Sequence, residues 1–371
     1  TVFDEDDLYF FLAKGLVKRE ITELVPACID SSKLWAKYVR ALRGVWVNPT
    51  LLESTDKIKD TSQNKSKLPT KIIGNGNKNV KKVTVAISNL ATEDECWAAT
   101  ACNKPLLSLE RYKRLSDLVN QAIQLKPRPQ YLLLPEVSLP LRWVSSISNR
   151  LQNAGINLVA STEYRHIGEN DVYSEACLIL NDSRLGYEST VRVWQPKLEP
   201  AVGEDKNLIS KYGKKWFDFK KAGYPMQKPV YNHNGFCFGV MICSELLNSK
   251  ARIDFQGEVD ALLVLAWNKD LETFSALIEA SALDIHAYIV LVNNRNYGDS
   301  RVRSPAKELF NRDVVRLRGG ENDYCVVVEL DIEKLRAFQS RSKRWTEDSD
   351  PFKTTPEGFE ISSKRKYSPP R

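Results

Sequence analysis

The chain is short of the residues and patterns that mark several large protein classes. Its 371 residues hold three histidines, His166, His233 and His286, and none stands at ligand spacing. Seven cysteines, an odd number scattered without paired spacing, make neither a zinc pattern nor a disulfide framework, and they fit a reducing, cytosolic setting. No apolar run approaches the ~20 residues needed to cross a bilayer, and nothing near Thr1 resembles a signal peptide. Internal repeats are lacking too. The opening on Thr1 instead of Met reads as a processed or excised piece of something longer.

What is present argues for a packed domain. Apolar residues make up 42%, with 8 Trp, 14 Tyr and 13 Phe, and the length allows one large core plus an appendage, or two domains. The net charge of +7 is clustered: residues 57–82 carry eight lysines against Asp60, and 206–228 carry seven against Asp218. Such runs either touch nucleic acid or an acidic partner, or are solvated linkers and loops. No zinc-finger spacing, basic zipper or RNA-binding aromatic motif favours the first.

Residues 1–53 read as a helical appendage or the end of a preceding domain. Leu8, Phe11, Leu12 and Leu16 form one helical stripe, and Leu34, Tyr38, Leu42 and Val45 another. At 54–80 the composition collapses into Lys, Ser, Thr, Asn and Gly, the mark of a flexible basic linker. A catalytic domain is expected over 81–338. VTVAISNL alternates as a strand, 108–126 is an amphipathic helix, and YLLL at 131–134 is a buried strand that Pro135 stops, leaving Glu136 at its end. A helix over 141–153 and strands over 156–162, 172–180 and 189–194 follow. Residues 201–233 read as a long polar loop; His166 and His233 read as loop residues and His286 as a helix-end residue. FCFGVMI is a strand ending at Cys243. Beyond it come a strand at 259–266, a helix over 271–286, a strand at 288–293, a turn over 296–304, a hairpin within 314–330 and a helix over 331–338. Residues 339–371 read as a polar, disordered tail. About ten strands and four or five helices, alternating early and pairing late, predict an α/β domain of mixed sheets covered by helices.

Glu136, Lys197 and Cys243 each end an apolar strand, where α/β architectures assemble sites. Together the three side chains suit acyl transfer through a thioester: the glutamate takes the thiol proton, the cysteine attacks, and the lysine holds the developing charge. The lysine would also help ionise the thiol. Each residue has a plainer reading, as a helix-capping carboxylate, a surface lysine and a core cysteine. The three are far apart in the chain, so spacing does not join them.

LLLPE, VWQPKLEPAVGE, GFCFGVMICSEL, LVLAWNKD and IEASALDIHAYIVLVNNRNYGDSRVRSP, in that order, resemble segments of the nitrilase, or carbon–nitrogen hydrolase, superfamily over about residues 83–335. The resemblance implies a four-layer αββα sandwich, here with a short N-terminal helical arm. It further implies a homo-oligomer whose sheets continue across subunits, no metal or organic cofactor, and a small-molecule amide, carbamoyl or nitrile substrate. By that likeness Glu136 is the base, Lys197 the oxyanion-stabilising residue, Cys243 the nucleophile, and Glu204 the carboxylate that orients the lysine and substrate. Glu245, Trp267 and Asn293 are expected around the pocket, although Asn293 and Asn294 read equally well as satisfying backbone groups in a turn.

The chain departs from the family in two places. Ser244 follows the nucleophile where an aromatic residue is common, and the Lys-rich insertion between Lys197 and Cys243 leaves the substrate open. Nitrilase-like domains also occur fused to other enzymes, one arrangement following a reverse transcriptase in bacterial antiphage systems. The layout here resembles that one, without polymerase motifs. It sets a second expectation, of an assembly or regulatory module in a nucleic-acid-related antiviral defence protein.

Overall fold

The structure, a computed structural model, describes residues 2–3, 68–182, 189–342 and 347–367. The expected N-terminal helices, most of the expected linker, and the turn after residue 182 lie outside the described residues. In chain order the strands are β1 Val2–Phe3, β2 Thr70–Ile73, β3 Lys82–Asn89, β4 Tyr131–Leu139, β5 Asn157–Thr162, β6 Arg165–Ile167, β7 Asp171–Tyr173, β8 Glu175–Asp182, β9 Ser189–Pro196, β10 Lys215–Trp216, β11 Val230–His233, β12 Phe236–Ile242, β13 Ala261–Ala266, β14 Tyr288–Asn293, β15 Ser300–Arg303, β16 Asp313–Leu317 and β17 Tyr324–Asp331. The α-helices are α1 Asp94–Ala101, α2 Leu109–Gln124, α3 Val144–Asn153, α4 Val202–Tyr212, α5 Ser249–Ile253, α6 Leu271–Asp284 and α7 Ile332–Gln339.

Two seven-stranded mixed sheets, β1-β9-β8-β5-β4-β3-β17 and β16-β15-β14-β13-β12-β11-β2, form the body, and β10-β7-β6 make a small third sheet. Their layering follows from the two-residue period of the strands. On β4, Tyr131 and Leu133 point into the space between the large sheets, where they join Val85, Ile87, Phe238, Val240 and Leu263. Leu132 and Leu134 point the other way, onto Leu115, Leu118 and Val119 of α2 and Ile147 and Leu151 of α3. α2 starts cleanly because Ser108 accepts a hydrogen bond from the Arg111 N–H, and Asp270 does the same for α6 through Thr273. α6 seats Phe274, Ile278 and Ala282 against the second sheet. The result is the expected αββα sandwich. Strands covered on both faces are buried along their whole length and have apolar centres, as β4, β5, β12, β13 and β14 do.

Several expectations need correction. Pro135 does not end β4; the strand continues to Leu139, but its pairing with β3 stops at Leu133 and its pairing with β5 lapses between Leu134 and Leu139. A missing N–H is harmless in such a gap. Residues 172–180 split between β7 and β8, which lie in different sheets. The polar stretch 201–233 is not one loop, since it contains α4, β10 and β11. Part of the expected linker, Thr70–Ile73, pairs in parallel with β11. β16 and β17 are not a hairpin; they edge opposite sheets, and β15 fills the expected turn. His166 lies on β6 and bonds Thr100 O, while His233 ends β11, buried, with Nδ1 against the Tyr131 hydroxyl at 2.5 Å.

The tail is ordered from 347 to 367. Phe352 is buried against His286 and Phe338, and His286 Nε2 meets Lys353 O at 2.8 Å, so this histidine, which stands just past the end of α6 at φ +56° as expected of a helix-end residue, also anchors the tail. Arg365, buried, donates to Asp260 Oδ1 at 2.9 Å, Gly257 O at 2.7 Å and Gln339 Oε1 at 2.8 Å. Arg336 grips the same carboxylate at 2.8 and 2.5 Å, and the Cys237 N–H adds a bond of 2.9 Å. Burial opposes the charge on Asp260, yet Arg365 and Arg336 outweigh it and hold the carboxyl below the usual range.

Arg365→Ala is expected to cost about 3 kcal/mol of unfolding free energy, because it strips one partner from a buried ion cluster. Urea titration reads this directly. Burial also lowers His286 from 6.5 to about 4. A depressed value means its contribution is complete above 6.5 and is lost as pH falls toward 4. Stability measured from pH 7 down to pH 4 should therefore fall, and His286→Phe should flatten that slope.

Candidate active site

β4 and β9 run in the same direction in the first sheet, and β12 and β13 in the same direction in the second. The residues at and beyond their C-terminal ends meet at one edge of the sandwich, the usual place for a site in such sheets. Local backbone then aims each side chain. In the gap of the β4–β5 ladder Val137 takes φ +55°, a strained value for a β-branched residue, and this turns Glu136 off the ladder. Ser161 Oγ accepts from the Val137 N–H at 3.3 Å, and Ser138 Oγ donates to Pro135 O at 2.6 Å. Cys243 takes φ +46° where β12 passes into a single 3-10 turn, Cys243–Leu247. Lys197 directly follows β9.

The Lys197 ammonium group, with its side chain 1% exposed, donates to Glu136 Oε1 at 2.9 Å and to Glu204 Oε2 at 2.6 Å. Glu204 is the third residue of α4, and its Oε2 also accepts from the Ala201 N–H at 3.0 Å. The buried Tyr164 hydroxyl donates to Glu204 Oε1 and accepts from Trp97 Nε1 at 2.8 Å. The Cys243 thiol lies near enough to the Glu136 carboxyl and the Trp267 backbone for each to act on its proton. Glu136, Lys197, Glu204, Cys243 and Trp267 line one cavity of about 600 Å³, and exposed Asp94, Glu95, Lys211 and Lys269 mark its open side.

Burial raises the Glu136 carboxyl; Lys197 pulls it down and Glu204 pushes it up, and the balance stays high. Burial opposes the charge on Lys197, but Glu136 and Glu204 overcome it and hold the ammonium well above its ordinary range. The thiol is pushed well above its ordinary value by burial and then by Glu136, with Lys197 opposing. The expected help from the lysine in ionising the thiol is present but is outweighed by burial and by the Glu136 carboxyl.

Of the three residues expected around the pocket, Trp267 lines it. Asn293 does not; it is buried, its amide donates to Asn268 O at 2.9 Å and Gly298 O at 2.7 Å, and its oxygen accepts from Asn268 N at 2.8 Å. Asn294 similarly bonds Thr92 O. Glu245 lies behind the site, accepting from the Ile242 N–H and the Leu198 N–H at 2.9 Å each. Tyr164, Trp97 and Lys228 carried no sequence signal, since nothing local marks them; only the fold brings them to this edge. Among the described residues no group of three His, Cys, Asp or Glu side chains is placed to hold a metal ion, and no helix is long and apolar enough to cross a membrane.

No family model matches this chain, and no curated protein matches it. Among solved structures it is similar to amidases of the nitrilase superfamily. One is a mutant of the Nesterenkonia AN1 amidase, at 15% identity, covering 70% of this chain and 93% of that one, with a TM-score of 0.48. A second, from Nesterenkonia sp. AN1, carries the acetamide moiety of fluoroacetamide on its active-site cysteine (15%, 68% and 91%, 0.48). A third, from the same source, is in complex with butyramide (15%, 69% and 94%, 0.48).

Removing the cation tests the charge balance of this cluster. Lys197→Met leaves Glu136 and Glu204 without it and should lower unfolding free energy by about 3–5 kcal/mol. Adding Glu136→Gln to that variant should recover part of the loss in the same urea titration.

Proposed function

We propose that this chain hydrolyses a non-peptide carbon–nitrogen bond, in an amide, carbamoyl or nitrile group, through a thioester or thioimidate on Cys243. The observation that carries the reading is the meeting of the thiol, the Glu136 carboxyl and the Lys197 ammonium in one cavity. For an amide, Glu136 takes the thiol proton as Sγ bonds to the carbonyl carbon, and the oxyanion forms against Lys197. The C–N bond breaks as Glu136 returns the proton to the departing amine. Water then attacks the thioester carbon, again losing a proton to Glu136, and the thiol is restored as the acid leaves. A thiol held neutral in the resting site supports base-assisted attack over a standing thiolate. Glu204 and Tyr164 orient the lysine.

The scaffold reading, an assembly or regulatory module of a defence protein with a fused polymerase, is separated by one substitution. Cys243→Ala should abolish hydrolysis in a screen of amides and nitriles and abolish any cellular activity of the chain; full cellular activity of that variant would favour the scaffold. Glu136→Gln should slow turnover about 10²–10⁴-fold. Since Glu136 must be deprotonated to act and sits above its ordinary 4.5, kcat/KM should fall as pH drops through that raised value, at a higher pH than a free glutamate would titrate.

A further inference from the structure

The lysine-rich stretch 206–228 ends on the one lysine of that stretch that is buried. Lys228 Nζ donates to Pro196 O at 2.9 Å and pairs with Glu245 Oε1 at 2.5 Å, both side chains less than 10% exposed. Glu245 Oε1 also accepts from the Leu198 N–H, and its Oε2 from the Ile242 N–H. Pro196 and Leu198 flank Lys197, and Ile242 precedes Cys243. One buried ion pair thus grips the backbone on both sides of Lys197 and on the near side of Cys243.

The two gripped segments belong to different sheets. Face-to-face sheets are joined by side chains across about 10 Å, contacts without direction that tolerate small slides. No ladder hydrogen bond fixes Lys197 against Cys243. Gln195 Nε2, donating to Val240 O at 2.9 Å, ties the two strands further back; the Lys228–Glu245 bridge supplies the directional bonds next to the two residues themselves, where a displacement of about 1 Å can cost 10²-fold in rate. A buried pair is weak support for stability, since apolar replacements often match it; fixing geometry is the use that remains.

We propose that Lys228 and Glu245 are a positioning pair that sets the Lys197 ammonium against the Cys243 sulfur, and that the insertion serves the active site through this lysine. The proposal rests on the reading of Cys243 as a nucleophile and adds a residue from a segment expected to be a solvated loop or a nucleic-acid surface. Burial lowers the Lys228 ammonium against the pull of Glu245, in keeping with a group whose charge depends on that partner.

Two probes of Cys243 test it. p-Nitrophenyl acetate acylates the sulfur through an oxyanion: the S–C bond forms, p-nitrophenolate leaves, and the thiol proton passes to Glu136. Iodoacetamide alkylates the same sulfur by displacing iodide, with no oxyanion to stabilise. Lack of acylation in the unmodified protein, or acylation that survives Cys243→Ala, would sink the nucleophile reading itself. Given a reactive Cys243, the double variant Lys228→Met/Glu245→Gln, which leaves no unpaired charge, should acylate about 10²-fold more slowly. Its alkylation rate and melting temperature should stay near those of the parent. Acylation at the parental rate overturns the proposal, as does a parallel loss of both reactions and of melting temperature, which would make the pair structural only. If the double variant does not fold, Lys228→Gln, uncharged but still able to donate to Pro196 O, is read by the same criteria.

Discussion

The Lys197 ammonium group lies almost fully buried between Glu136 and Glu204, and the rest of the site is arranged around making that burial tolerable. An isolated ammonium taken out of water would lose its proton or drive the chain apart. Two carboxylates keep it charged, and holding them there needs further structure. Glu204 is pinned by the Ala201 N–H at the start of α4 and by Tyr164, which is in turn fixed by Trp97 of α1. Glu136 is held by the irregular end of β4. Neither carboxylate is on the same element as the lysine, so the ammonium draws β4, β9 and α4 together at one edge.

Backbone strain concentrates at the same edge. Val137 and Cys243 both take positive φ, a conformation costing on the order of 1–3 kcal/mol each for such residues. The strands that lead into them, β4 and β12, are among the most completely buried in the molecule. Rigid packing behind a strained turn is what keeps the turn from relaxing, and it aims the carboxyl and the thiol toward each other.

Legibility in the sequence follows the same physics. β4, β5, β12, β13 and β14 are readable because strands covered on both faces carry a continuous apolar run at their centre. β15 is not. Its Arg301 and Arg303 are buried beside Asp299, Glu279 and Asp313, so a strand made of paired charges reads as a polar turn. The tail escaped notice because Phe352 and Arg365 are single anchors without a period. β16 and β17 resembled a hairpin because they are neighbours in the chain, whereas the six residues between them cross from one sheet to the other. At the site, strand ends and family likeness singled out Glu136, Lys197, Glu204 and Cys243. Asn293 and Glu245, both expected around the pocket, instead brace a loop and the backbone behind Cys243.

Counting charge at this edge accounts for a thiol that stays neutral at rest. With Glu245 and Lys228 included, three carboxyl groups face two ammonium groups, so a standing thiolate would add a second excess negative charge in a dry setting. Moving the thiol proton to Glu136 while the substrate oxygen becomes anionic leaves the total unchanged and shifts the new charge toward Lys197. On the proposed reading, a site with this balance would stabilise the charge distribution of attack more than that of rest. On that reading the buried lysine would have its largest effect only when a carbonyl or nitrile carbon is present to receive the sulfur.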